Sequence, residues 1–217
     1  MTTSGSRPTQ ASARTGSSAR SLVAANAGTL VLAVVFGWDL GWLMWPYWIQ
    51  SVVIGWYART RMLSLRDFST EGFTSNGKPV PETEAAKRST ANFFTFHYGF
   101  FHAGYLVFLL SEHAVGTPLQ MLVLAACGLP FILSQRETYA AQHAADLRGR
   151  PNLGSLMFLP YLRVLPMHLG VIFAGAFDGG TSALILFVAL KTLGDLGLDR
   201  ADRAIAEKGA REAAARG

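Results

Sequence analysis

Apolar positions along the chain gather into six runs, at 22–36, 41–57, 92–110, 118–134, 153–177 and 181–198, separated by polar or turn-forming residues. Within each run the apolar residues are nearly continuous rather than alternating, which reads as helix buried on all sides. At about 1.5 Å of rise per residue, runs of roughly 15–25 residues suit a hydrocarbon layer about 30 Å thick, the shorter ones with local thinning. The pattern predicts an all-α polytopic transmembrane helical bundle of six spans.

The intervening segments divide the chain further. Residues 1–21, rich in Ser, Thr, Gly, Ala and Arg, have too little apolar surface to offset the entropy of ordering and are expected to form a disordered cytoplasmic tail. The transmembrane domain then covers 22–198, and an Ala-rich, charged tail covers 199–217, read as a surface helix. Residues 37–40, 111–117 and 178–180 are short turns, whereas 59–90 is a long polar loop with an expected amphipathic surface helix over 59–68 and a turn at 74–79. The fourth helix is expected to run past its span through Gln135, Arg136, Glu137 and His143 until Gly149, Arg150 and Pro151 break it. Trp38, Trp42, Trp45, Tyr47 and Trp48 place the start of the second span at a membrane interface, and Pro46 removes one of its backbone hydrogen bonds.

Composition strengthens the membrane reading: half of the residues are hydrophobic, 15% are charged, and the mean hydropathy is +0.26, values a soluble domain of this size rarely shows. The net charge of +5 acquires meaning from its distribution. With six spans, one side holds both tails and the two long loops, with three, six, three and five Lys or Arg, while the turns opposite hold none. Cytoplasmic loops are enriched in these residues, so both termini are assigned to the cytoplasm of a cell-membrane protein. The basic balance thus reflects topology and does not call for a nucleic-acid partner. The single cysteine, Cys127, excludes an intrachain disulfide framework and cysteine-rich metal sites.

Ionisable groups within the spans carry the candidate chemistry, because each costs roughly 2.5–3.5 kcal/mol at a helix centre unless partnered or hydrated. His97, Arg163, His168, Lys191 and Asp195 fall at comparable depths in the cytoplasmic half, with Gln50 near mid-span. Lys191 and Asp195, four apart, share a helix face and can neutralise each other. His97 and His102, five apart, lie about 140° apart around a helix, so at most one is expected in a common site; His97 is favoured because Gly99 beside it admits a neighbouring helix. His168 can also simply bond a carbonyl freed by Pro166, and Arg163 can simply mark the interface. The stripe of Phe93, Phe94, Phe96, Phe100 and Phe101 reads as packing or lipid-facing surface. No HExxH, phosphate-binding loop or GxSxG elbow is present, and Ser155 after Gly154 lacks a base.

Tyr47-Trp48 with Val53-Ile54-Gly55, Phe93-Phe94, His97-Tyr98-Gly99, Pro166 with His168 and Gly170, and Lys191-Thr192-Leu193 with Asp195 resemble an uncharacterised prokaryotic family of multi-pass membrane proteins, a domain of unknown function. The resemblance covers about residues 40–200 and implies no activity. Its pattern has a carboxylate where Gln50 stands, which weakens a role for the second span as metal ligand or proton acceptor.

Three functions are compatible with these residues. His97, His168 and Asp195, supported by Gln50, Lys191 and Arg163, are a candidate intramembrane site for a divalent transition metal or for proton-coupled transport. A metal-assisted hydrolase or lipid-modifying enzyme, with His97 or His168 as ligand or base, is the second. The third is a structural subunit in the lipid bilayer, a homo-oligomer or bound to another membrane protein, whose polar residues fasten helices.

Overall fold

A computed structural model of the protein describes residues 23–24, 26–174 and 180–215. The tail expected over 1–21 and the turn at 178–179 lie outside the described residues. The helices are α1 (Asn26–Val35), α2 (Leu40–Ser64), α3 (Glu84–Glu112), α4 (Pro118–Arg148), α5 (Leu153–Phe158), α6 (Tyr161–Ala174) and α7 (Thr181–Ala214). A two-residue antiparallel pair, β1 (Thr74–Ser75) and β2 (Lys78–Pro79), joins α2 to α3. The architecture is all-α, and the described parts of the six apolar runs are helical except for turns at Phe36 and at Leu159 and Pro160.

Local sequence explains where the helices begin. The side chains of Asp39, Thr83, Thr117 and Asn152 accept hydrogen bonds from the free backbone N–H groups of Trp42, Ala86, Gln120 and Ser155. Thr117 and Gln120 cap each other reciprocally ahead of Pro118, satisfying donors that a helix start leaves open. Asn76 and Gly77 both take positive φ, 50° and 74°, so the Asn-Gly pair makes the tight turn of the hairpin.

α2 is the central element, packing against α3, α4, α5 and α6 and touching α7, while α6 lies along α7. Several expectations about the helices change. α3 begins at Glu84, inside the stretch read as loop over 59–90, and α7 runs unbroken to Ala214 through the tail read as a separate surface helix. The stretch from 59 is no separate surface helix: α2 continues unbroken to Ser64, with Arg61 and Met62 buried. The fifth run is two helices, because Pro160 has no N–H and the chain tightens there into bonds from Leu162 N to Leu159 O and from Arg163 N to Pro160 O. Gly99 admits no neighbour, having nothing within 4 Å of where a Cβ would lie. The close approaches are at Gly55, where a Cβ would come 2.5 Å from the Tyr98 ring, and at Gly194, where it would come 2.8 Å from the Leu162 carbonyl.

The bundle exposes apolar side chains as well as burying them. The inner face of α3 carries Phe94, Tyr98, His102, Tyr105 and Leu109, whereas Phe96, Phe100 and Val107 are 78%, 68% and 68% exposed. Leu119, Leu122, Leu133, Leu165 and Leu193 extend this apolar surface around the bundle, far beyond the scattered exposure normal for a soluble protein. Three stretches, Glu84–Glu112, Leu153–Ile172 and Thr181–Ala214, are long and apolar enough to cross a membrane.

Gly194→Val should lower the stability of the detergent-purified protein by about 1–3 kcal/mol, since a rigid backbone carbonyl occupies the space its side chain needs. Gly99→Ala should leave stability unchanged or raise it. Thermal unfolding followed by circular dichroism compares the two.

Candidate functional site

Two of the charged residues singled out in the spans, Arg163 on α6 and Asp195 on α7, meet as a buried ion pair, Nη1 to Oδ1 at 2.9 Å. Their side chains are 5% and 8% exposed. The backbones are brought together one residue away on each helix, where Gly194 faces the carbonyl of Leu162. Lys191 donates to the other oxygen of Asp195 at 2.8 Å and to Asn26 Oδ1 on α1 at 2.9 Å. Arg163 Nη2 donates to Gln50 Oε1 on α2 at 3.0 Å. The Tyr47 ring serves both cations, with the guanidinium 4.6 Å and the ammonium 5.6 Å from its centroid, an arrangement a desolvated cation favours.

This centre therefore unites Gln50, Arg163, Lys191 and Asp195, together with Asn26 and Tyr47, which sequence reasoning did not place in it. It holds two cationic side chains and one carboxylate. Among the described residues, four of its buried polar atoms have no hydrogen-bond partner: Asn26 Nδ2, the Tyr47 hydroxyl, Arg163 Nε and the Asp195 Oδ1 that faces the guanidinium. Unpaired buried donors are costly.

His97 and His168 are elsewhere. Both are exposed and lie across α3 and α6 from one another, flanking the Phe101 ring at centroid distances of 5.1 and 6.4 Å. His97 Nδ1 pairs with the Tyr161 hydroxyl at 2.8 Å, and His168 Nδ1 with that of Tyr105 at 3.3 Å. Among the described residues, no three His, Cys, Asp or Glu side chains gather as a metal-binding group. The three candidate ligands His97, His168 and Asp195 are thus not brought together.

The preference for His97 over His102 is reversed as well, since His102 is the histidine that faces the interior, at 5% exposure. Its Nδ1 donates to the Tyr98 carbonyl at 2.8 Å, leaving Nε2 to accept from Ser51 Oγ at 3.0 Å. The Tyr98 hydroxyl lies 2.8 Å from Ser51 Oγ and donates to the Ser51 carbonyl at 3.0 Å. A serine facing an oriented imidazole has the elements of a nucleophile and its base. Here Ser51 is 2% exposed and its oxygen is engaged by both neighbours, so the group closes on itself and fastens α2 to α3.

A third buried network sits at the C-terminal end of α2. Arg61 forks onto Asp146 of α4 through Nε at 2.7 Å and Nη2 at 3.0 Å, and reaches Asp202 of α7 through Nη1 at 2.7 Å. Gln142 donates to the second oxygen of Asp202 at 2.8 Å. Burial alone would pull the Arg61 pKa down, but the hydrogen bonds and charges of the two carboxylates hold it above its ordinary value. No signal in a single sequence links residues separated by 85 and 141 positions.

Arg61→Met should cost about 3–5 kcal/mol by stranding the buried Asp146 carboxylate. Arg61→Met/Asp146→Leu should recover much of that loss, an interaction that a double-mutant cycle of denaturant unfolding in detergent measures.

No curated protein sequence and no solved structure matches the chain. A match over residues 8–212 does place it in a family: the chain belongs to DUF6498, a family of unknown function.

Proposed function

We propose that the chain is a six-span integral membrane protein of the cell membrane, with both termini in the cytoplasm, and that it couples proton movement to the passage of a small negatively charged solute through the Arg163–Asp195–Lys191 centre. The excess of cationic over anionic side chains in that centre, beside unpartnered donors on Asn26, Tyr47 and Arg163, carries the proposal. A set of charges serving only to join helices has no use for an uncompensated cation, whose burial in hydrocarbon is expensive. Two conditions relieve it: loss of a proton from Lys191, or arrival of an anion. Proton and anion occupancy are then linked, since each favours the other at one site.

The apolar outer surface and the three stretches long enough to cross a membrane support the bilayer reading. Six spans and cytoplasmic termini are favoured by the one-sided distribution of Lys and Arg. Depth within the bundle matches the setting in which intramembrane ionisable residues act in transport. The separate positions of His97 and His168 favour this reading over the metal site. The closed Ser51–Tyr98–His102 group favours a fastening role for that network and leaves the open centre as the functional one.

Transport is tested with proteoliposomes loaded with a pH-sensitive dye and given small carboxylates or inorganic anions outside. Wild type should acidify the lumen when an anion is supplied under an inward proton gradient. Asp195→Asn and Lys191→Met should each reduce the rate at least tenfold while the protein still inserts and elutes normally. Undiminished flux in both variants, or no flux in wild type with any anion, sinks the reading. Topology is checked separately on a Cys127→Ser background: a cysteine at Ala114 should react with an impermeant maleimide from outside intact cells, and one at Ala210 only after lysis.

A further inference from the structure

Below the hairpin, where it folds over the start of α3 and the end of α5, lies a cavity of about 640 Å³. Its lining divides by chemistry. Phe73, Phe93, Met157 and Phe158 are apolar, and Phe93 and Phe158 are 55% and 60% exposed. Phe93 shares a face of α3 with Phe96 and Phe100, seven residues or fewer along the helix, so the cavity is continuous with the apolar outer surface. Lys78, Ser75, Ser89 and Thr90 supply the polar lining.

Thr90 is the informative member. It is 8% exposed, and its hydroxyl has no hydrogen-bond partner among the described residues. Thr95 and Thr192 show the usual alternative, each bonding back to the carbonyl four residues earlier, Ala91 and Val188. A hydroxyl on a buried residue that forgoes this and opens onto a cavity is available to a ligand. Lys78 likewise forms no ion pair among the described residues, although Lys87 is engaged by Glu84, and Arg150 by Asp67, Glu82 and Glu212. Arg88, next to Ser89, is exposed and has no ion-pair partner among the described residues.

We infer that this cavity is a binding site for an anionic phospholipid, its phosphate on the polar lining of Lys78, Ser89 and Thr90 and an acyl chain along Phe93, Met157 and Phe158. The inference rests on the membrane reading but not on transport. Free cationic and hydroxyl groups beside an apolar, bilayer-continuous wall match a molecule with a phosphate at one end and hydrocarbon at the other. Anionic lipid of the cytoplasmic leaflet is also attracted by basic residues near its surface. A water-soluble phosphate would leave the phenylalanine wall uncovered.

Native mass spectrometry of the full-length protein in detergent, titrated with phosphatidylglycerol or phosphatidylcholine of identical chains, tests the site. One phosphatidylglycerol should be retained with about tenfold preference. Lys78→Glu should weaken it about tenfold and Thr90→Val several-fold, while Arg136→Glu, a change of equal charge on α4, should leave it intact. Equal retention of the two lipids, or unchanged binding by Lys78→Glu, overturns the proposal. Displacement of the lipid by glycerol 3-phosphate at similar concentration also overturns it, by assigning the site to a soluble phosphate. Alkaline carbonate extraction separates the two levels: a chain released from membranes removes the membrane reading itself, whereas a retained chain without lipid preference removes only this site.

Discussion

The interior of this bundle depends on one buried ion pair. Taking a guanidinium and a carboxylate out of water costs several kcal/mol per ion, and their attraction offsets that only when the geometry is held. Arg163 and Asp195 are held by a feature with no charge at all: the absence of a side chain at Gly194, which lets α7 rest on the Leu162 carbonyl. The residues that touch and the residues that pair are adjacent in sequence on both helices. Close packing therefore fixes the ionic distance, and the ionic bond in turn makes the close packing worthwhile. Lys191, Gln50 and Asn26 then attach α1 and α2 to a pair already defined by α6 and α7.

The three buried networks differ in what they leave unfinished. Ser51, Tyr98 and His102 exchange hydrogen bonds among themselves and with local carbonyls. Arg61 is forked onto Asp146 and completed by Asp202. In the Arg163 centre, by contrast, three donors, one carboxylate oxygen and one positive charge remain over among the described residues. Low dielectric strengthens a completed network and penalises an incomplete one. The incomplete one consequently carries a cost that the two completed networks avoid.

Much of the fold was readable because hydrophobic runs and helix breakers are local signals, as where Gly149 with Pro151 announces the end of α4. The start of α3 at Glu84 was not, because its first turns are polar and read as part of the loop over 59–90. The extension of α2 to Ser64 was not readable, since its support is Arg61 meeting Asp146 and Asp202, partners distant in sequence. Lys191 and Asp195 were legible as neighbours because four residues return to one helix face. The histidines misled for a related reason. Periodicity shows that His97 and His102 face apart, but only the position of α2 decides which of them faces inward. Gly55, four residues beyond Ser51, receives the Tyr98 ring, and that contact turns His102 into the core and His97 out of it.

α7 runs from Thr181 to Ala214 without interruption, a rod of about 50 Å. Its middle carries Lys191 and Asp195; farther along, Asp202 meets Arg61, Gly209 accepts from the Arg150 backbone, and Glu212 meets the Arg150 side chain. A rigid rod cannot rotate or slide at one of these stations without moving the others. The buried charge centre and the seating of the loops around Arg61 and Arg150 are thereby mechanically geared, and a molecule grasping the exposed end of α7 would act on the buried charges about 20 Å away without approaching them.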